Sequence, residues 1–230
     1  MAQRDALIED CRISRRMALR QACRAGLIGL GGMAAWGLIG LPGCQRQDAA
    51  SSNAETAPMK STTAPTSTTT TVKVKVFNAK GQLVGPIDMP KVTKTDAQWK
   101  ALLTEEQYQI ARAKNTEPSF CGNLLDNHQD GVYSCVCCGL PLFASNSKFN
   151  SGTGWPSFFQ PISAENVTEK TDRDGMRAEI LCARCDCHLG HVFDDGPRPT
   201  GLRFCVNSAS LKFTPQDKLV SLADPAAQGS

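Results

Sequence analysis

Eleven cysteines in 230 residues dominate the chemistry open to this chain. Four of them form two Cys-x-x-Cys pairs, Cys135/Cys138 and Cys182/Cys185, with 43 residues between the pairs. Their surroundings rhyme: Tyr133-Ser134-Cys135 runs into Cys138-Gly139-Leu140, and Ile180-Leu181-Cys182 runs into Cys185-x-x-His188-Leu189. Two such knuckles facing each other offer four thiolates tetrahedrally, the donor set of a closed structural Zn2+ site. Cys137 and Cys187 stand beside them as alternative donors. Two disulfides, or one redox-active pair, are the competing uses of the same residues.

A further thiol has polar company. In Leu202-Arg203-Phe204-Cys205-Val206-Asn207-Ser208, strand alternation turns Leu202, Phe204 and Val206 to the core and Arg203, Cys205 and Asn207 to the other face. A guanidinium beside a thiol favours the thiolate, which is the nucleophile; the alternative is a bystander cysteine on an amphipathic strand. Upstream, His188-Leu189-Gly190-His191-Val192-Phe193 brings two imidazoles near the second knuckle, and His191 can move protons near neutral pH. The Gly-rich run Ser151–Phe158 (SGTGWPSF) presents Trp155 either as a core anchor or as the wall of an apolar pocket.

The elements that must hold these groups are mostly strands. Val72–Phe77 (VKVKVF) alternates as a strand, Asn78–Gly81 reads as a turn, and Gln82–Asp88 returns. Thr95–Lys114 carries Trp99, Leu102, Leu103, Ile110 and Ala111 at helical spacing. Thr104-Glu105-Glu106-Gln107 is a capping box that divides it into two short helices. Beyond it, short apolar runs between Gly, Pro, Asn and Asp predict a mainly β domain of antiparallel sheets.

The first 44 residues read as an address. An Arg-rich segment precedes an uncharged apolar run at 27–41, too short to span a membrane comfortably. Ser14–Arg20 (SRRMALR) resembles a twin-arginine export signal, and Leu41–Cys44 (LPGC) resembles a lipobox that would leave Cys44 as a lipidated N-terminus. Residues 45–71 hold 19 Ser, Thr, Ala or Pro in 27 positions, a linker unable to fold on its own. As a coil it would span roughly 30 Å. Without residues 1–44 the chain has 19 basic and 19 acidic residues, a balance that gives no reason to expect a nucleic-acid partner.

Taken together, the motifs resemble a type B methionine sulfoxide reductase. The resemblance covers residues 94–214 and is carried by Trp99, Gly139–Phe143 (GLPLF), Lys148–Phe159 (KFNSGTGWPSFF), the second knuckle with His188–Phe193 (HLGHVF), Asp195-Gly196-Pro197 and Gly201–Ser210 (GLRFCVNSAS). It implies an antiparallel β fold with short N-terminal helices, structural Zn2+ on Cys135, Cys138, Cys182 and Cys185, and reduction of methionine-R-sulfoxide in peptides and proteins. By the same resemblance Cys205 is the nucleophile and His191 the acid. His188, Asp195, Arg203 and Asn207 orient substrate and water, while Trp155 and Phe193 receive the substrate. Where many members have a resolving cysteine this chain has Thr153, and some members with Thr there resemble it in having a cysteine like Cys121, which takes the resolving role; Cys187 is the second choice for it. The implied partners are oxidised proteins and a thioredoxin-like reductant.

The resulting layout is a signal peptide at 1–44, a linker at 45–71, a hairpin extension at 72–93, the reductase domain at 94–214 and a tail at 215–230. The expectation is a monomeric, lipid-anchored repair enzyme of the periplasm, with the outer membrane favoured by Gln45 after the lipidated cysteine. Two rivals stand beside it: a non-enzymatic zinc-knuckle module that binds a partner, and a disulfide-stapled scaffold that binds cell-wall material.

Overall fold

The computed structural model describes residues 70–172, 175 and 177–227. The export signal and nearly all of the linker fall outside the described residues. Among those described, no helix is long and apolar enough to cross a membrane.

The alternating VKVKVF run forms β1 (Thr71–Phe77), which pairs antiparallel with β2 (Leu83–Pro90). Thr71, placed by sequence at the end of the linker, is already in the strand. Alternation buries Val74 and Val76, leaving Lys73 exposed and Lys75 half-buried. The hairpin shares the main core with Trp99, Phe143, Phe158 and Leu189. Asn166 fastens it there: its amide accepts from the Lys75 N–H at 2.8 Å and donates to the carbonyls of Lys75 and Pro141, both at 2.7 Å.

Two short helices follow, α1 (Asp96–Leu102) and α2 (Glu105–Ala111). Each begins at a reciprocal capping box, Thr95 with Gln98 and Thr104 with Gln107. The boxes satisfy the free N–H groups of helices too short to persist on propensity alone. α1 buries Trp99 completely.

The remaining strands make two antiparallel sheets. One orders β11 (Leu211–Pro215), β3 (Gly131–Cys135) and β4 (Pro141–Ala144). The other orders β5 (Lys148–Phe149), β6 (Ser157–Phe158), β10 (Arg203–Val206), β9 (His188–Phe193), β8 (Ala178–Cys182) and β7 (Val167–Thr171). The core between them is aromatic. Phe143 stacks on Phe158 at 4.5 Å, and Tyr133 meets the Phe158 edge at 5.0 Å. The fold is therefore the expected one, mainly antiparallel β with short N-terminal helices. The last segment is also packed: Leu219 is buried, Phe77 bridges Ala223, and Arg184 pairs with Asp224 at 3.0 Å.

Candidate active site and metal centre

The two knuckles are built alike. In the first, the Gly139 N–H closes a turn onto the Cys135 carbonyl at 2.8 Å; in the second, the Asp186 N–H closes onto Cys182 at 2.9 Å. Both closing residues are left-handed, Gly139 at φ 77° and Asp186 at φ 55°. Glycine takes that conformation without cost, and Asp is among the few other residues that tolerate it. The first knuckle joins β3 to β4 and the second joins β8 to β9, so each sheet contributes one pair.

The four thiols meet. All four Sγ atoms lie within 4.8 Å of one another, with Cys135–Cys185 at 3.6 Å and Cys138–Cys182 at 3.5 Å. A thiolate tetrahedron with metal–sulfur bonds of about 2.3 Å has edges of about 3.8 Å, so the donor set fits zinc with little adjustment. Burial pushes the Cys135 and Cys182 thiols up. Four thiolates at this place therefore require a cation to neutralise them. The site joins the two sheets far along the chain, a geometry suited to a structural staple.

β10 carries the other thiol, and its neighbours on both sides aim groups at it. Cys205 stands directly opposite His191 of β9 and opposite Ser157 of β6. Phe204 and Val206 are buried, as alternation requires. Cys205, His191, Phe193, Asn207 and Trp155 line one cavity of about 130 Å³, together with Thr116, Arg177, Gly190 and Val206. Gly190 lets the two strands approach: a β-carbon there would fall far inside van der Waals contact of the Cys205 carbonyl.

Burial pushes the Cys205 thiol up, and the Arg203 guanidinium and the Thr153 hydroxyl pull it back without overcoming burial. The sequence leads one to expect a guanidinium free to act on the thiol, but Arg203 is shared. Its Nε and Nη2 grip Asp195 at 2.7 and 2.9 Å, and its plane lies 4.3 Å over Phe193. The bond from Arg203 holds the Asp195 carboxyl below its usual range. Arg203 and Asp195 line a second, more open cavity of about 370 Å³ with Thr153 and Ser151.

His188 and His191 are three apart, which on a regular strand would turn them to opposite faces. A register shift between β8 and β9 at Ile180/Leu181 brings them to one face, with ring centres 5.6 Å apart. His188 is buried, and its Nδ1 meets Glu179 at 2.7 Å; Glu179 also accepts from Lys114 at 2.8 Å. Burial lowers the His188 pKa despite the Glu179 partner. Burial also opposes the charge of Glu179, but the bonds from Lys114 and His188 outweigh it and hold the carboxyl below its ordinary value. His191 Nε2 meets Asp172 at 2.9 Å, and Asp172 also pairs with Arg177 at 3.1 Å.

Trp155 is half-buried, and its indole N–H donates to the Glu117 carbonyl at 3.0 Å. Asn207 lies just past the end of β10 and is buried. Its amide accepts from the Glu117 N–H and donates to the Leu189 carbonyl, both at 3.1 Å. Glu117 thus positions two walls of the cavity, and its buried carboxylate receives the backbone N–H groups of Ser208 at 2.6 Å and Ala209 at 3.2 Å. The next segment crosses the glycine loop, where the Phe120 N–H donates to the Gly154 carbonyl at 2.8 Å. That puts Cys121 on a strap beside Thr153 and Trp155. Cys205 is a free thiol, while Cys121 is disulfide-bonded, so the Cys121–Cys205 bond is not closed here. Glu117, Asp172, Glu179 and the Thr153 hydroxyl escaped sequence reasoning, since an isolated carboxylate or hydroxyl carries no spacing signal.

A thiol opposite an imidazole, on a β scaffold that brings together four cysteines able to hold a metal, defines a thiol-redox class of site. The SelR domain family matches residues 103–215. A peptide methionine sulfoxide reductase MsrB from Hahella chejuensis is 56% identical over 131 residues, covering 56% of this chain and 94% of the relative. Its counterparts from Herminiimonas arsenicoxydans and Thiobacillus denitrificans are 58% and 59% identical, with 54% of this chain covered in each case and 91% and 96% of the relatives. The chain belongs to the MsrB family of peptide methionine sulfoxide reductases.

Proposed function

We propose that the chain reduces methionine-R-sulfoxide in peptides and proteins to methionine. The observation that carries the reading is the cross-strand pair of Cys205 and His191 in a cavity walled by Trp155 and Phe193. The substrate methyl lies against Trp155, and the sulfoxide oxygen turns toward the imidazole side. Cys205 attacks the sulfoxide sulfur. His191 protonates the oxygen, which would otherwise leave as an unstabilised anion. Oxygen passes to Cys205 as a sulfenic acid while methionine departs. His188, held by Glu179, and Asn207, held by Glu117, fix the walls; Arg203 favours the thiolate, and Asp195, which grips its guanidinium, restrains that effect. Zinc on the four knuckle cysteines holds the two sheets together and takes no part in the chemistry.

The Cys121 thiol then displaces water from the sulfenic acid, and a thioredoxin-like dithiol reduces the Cys121–Cys205 disulfide. The strap contact between Phe120 and Gly154 supports Cys121 in this role. The role requires Cys121 as a thiol, so its own disulfide must first be reduced. The N-terminal motifs support twin-arginine export, lipidation at Cys44, and repair of oxidised envelope proteins by a monomer tethered in the periplasm, at the outer membrane.

The test supplies the reduced full-length chain and Cys205→Ser with separate R- and S-sulfoxide peptides and dithiothreitol. R-selective reduction that disappears in the variant is expected. Zinc-replete protein that reduces neither isomer would reject the reading and favour a partner-binding zinc module. Cys121→Ser should keep the first reduction and lose thioredoxin-driven turnover.

A further inference from the structure

Two cysteines beside the knuckle ligands are used neither by the proposed four-cysteine zinc site nor by the proposed Cys205–Cys121 chemistry. Cys137 lies between the ligands of the first knuckle, and Cys187 follows the second. The matched turns bring them together. The Sγ atoms of Cys135, Cys137 and Cys187 all lie within 4.8 Å of one another; Cys135 and Cys187 are buried and Cys137 half-buried. The Cys187 thiol otherwise has a 3.6 Å contact to the His188 carbonyl. Cys135 therefore belongs to two thiol groups at once, one of four and one of three.

We propose that the three-thiol group is a second metal site that takes a soft monovalent cation, Cu(I) or Ag(I), with the Cys135 thiolate bridging it to the four-cysteine zinc site. A closed zinc site takes four protein ligands, one more than this group offers, so a three-coordinate soft cation suits it better. Thiolate softness selects Cu(I). With metal–sulfur bonds near the zinc value of about 2.3 Å, a trigonal site has sulfur–sulfur edges of about 4.0 Å, within the span available. Cys135 is shared with the four-cysteine group, so the second cation adds two thiol donors, Cys137 and Cys187, to the cluster. The Arg112 guanidinium donates to the Cys185 carbonyl at 2.8 Å, which sets a positive charge at the rim. No electron transfer is involved.

The test uses the reduced, zinc-loaded full-length chain under anaerobic conditions, titrated with Cu(I) against a chromogenic Cu(I) chelator. Native mass spectrometry should find one Cu(I) bound beside one zinc, with no zinc released to an indicator. Cys137→Ser/Cys187→Ser should keep its zinc and lose competition for Cu(I) by at least about 100-fold, whereas Cys205→Ser should compete as the parent does. Copper-edge X-ray absorption on the unaltered protein should show three sulfur ligands, which keeps the proposal testable if the double variant fails to fold. Release of one zinc per Cu(I) bound, undiminished binding by the double variant, or a two-sulfur copper site would each overturn it. All readouts are metal content and coordination, so they are independent of reductase activity.

Discussion

Gly190→Ala tests whether the close approach of β9 and β10 sets the active geometry. A methyl at residue 190 would run into the Cys205 carbonyl oxygen, 3.1 Å from its carbon and 3.2 Å from Val206 Cα. These are backbone atoms of the strand that carries the thiol, so no side chain can swing aside. The strands must separate by about 1 Å on a normal spacing of about 4.8 Å, which weakens the ladder bonds on either side of the Cys205–His191 pair. Overpacking of this kind costs about 1–3 kcal/mol of stability. A 1 Å misplacement of reacting groups costs on the order of 100-fold in rate. The assay is dithiothreitol-driven turnover of an R-sulfoxide peptide, with thermal unfolding and zinc content measured on the same samples. Gly201→Ala is the control: its φ is also positive, 73° against 150° at Gly190, but a β-carbon there meets nothing within 4 Å. It should lose about 1 kcal/mol of stability and little rate. If Gly190→Ala retains zinc and turns over within threefold of the parent, strand spacing does not set the reaction geometry.

Asn166→Ala strands the Lys75 N–H and the carbonyls of Lys75 and Pro141 in the core. It should cost about 3 kcal/mol and lower Tm by roughly 10 °C, read by calorimetry. Zinc removal by a chelator at neutral pH should unfold the chain cooperatively, and readdition under reducing conditions should restore the circular dichroism spectrum. Thr153→Val removes a hydroxyl that favours the Cys205 thiolate; single-turnover reduction should fall at neutral pH and recover as pH rises, whereas a purely structural defect would depress all pH values alike. The His188–Glu179 pair sets an acid limb of stability. The lowered His188 pKa means the unfolded chain binds the proton first as pH falls below 6.5. The lowered Glu179 pKa likewise makes its contribution present above 4.5 and lost as pH falls through the folded value. The unfolded state binds more protons in both cases, so stability declines from pH 6.5 downward. His188→Gln should flatten the upper part of that decline in urea titrations.

The sequence was informative where chemistry or backbone geometry repeats. The twin knuckles, the capping box at Thr104, the VKVKVF strand and the alternation around Cys205 each follow from a local rule, and each stands at or within a residue of its expected place. What escaped depends on contacts between distant segments. Asp172 reaches His191 across the sheet, and Glu117 reaches Ser208 and Asn207 across 90 residues or more of chain. The register shift that turns His188 and His191 to one face is a property of pairing with β8, and no pattern in HLGHVF announces it. The first capping box, Thr95 with Gln98, was open to the same reasoning as the second.

The electrostatics of the thiol show how a resting site can be poised without being reactive. Burial keeps Cys205 protonated, and the nearby guanidinium is half-neutralised by Asp195, whose side chain is 59% exposed. A half-buried, protonated thiol resists adventitious oxidation, because the thiolate is the oxidisable form. A bound sulfoxide changes the balance. In the proposed reaction the substrate's electron-poor sulfur stabilises the developing sulfur–sulfur bond more than any ground-state contact would. On that mechanism ionisation follows the presence of substrate as well as bulk pH. Substituting Asp195 with Asn frees the guanidinium, so the variant's resting thiol should react faster with a small alkylating agent while turning over sulfoxide peptide no faster than the parent. Equal alkylation rates in the two proteins would show that Asp195 does not restrain Arg203.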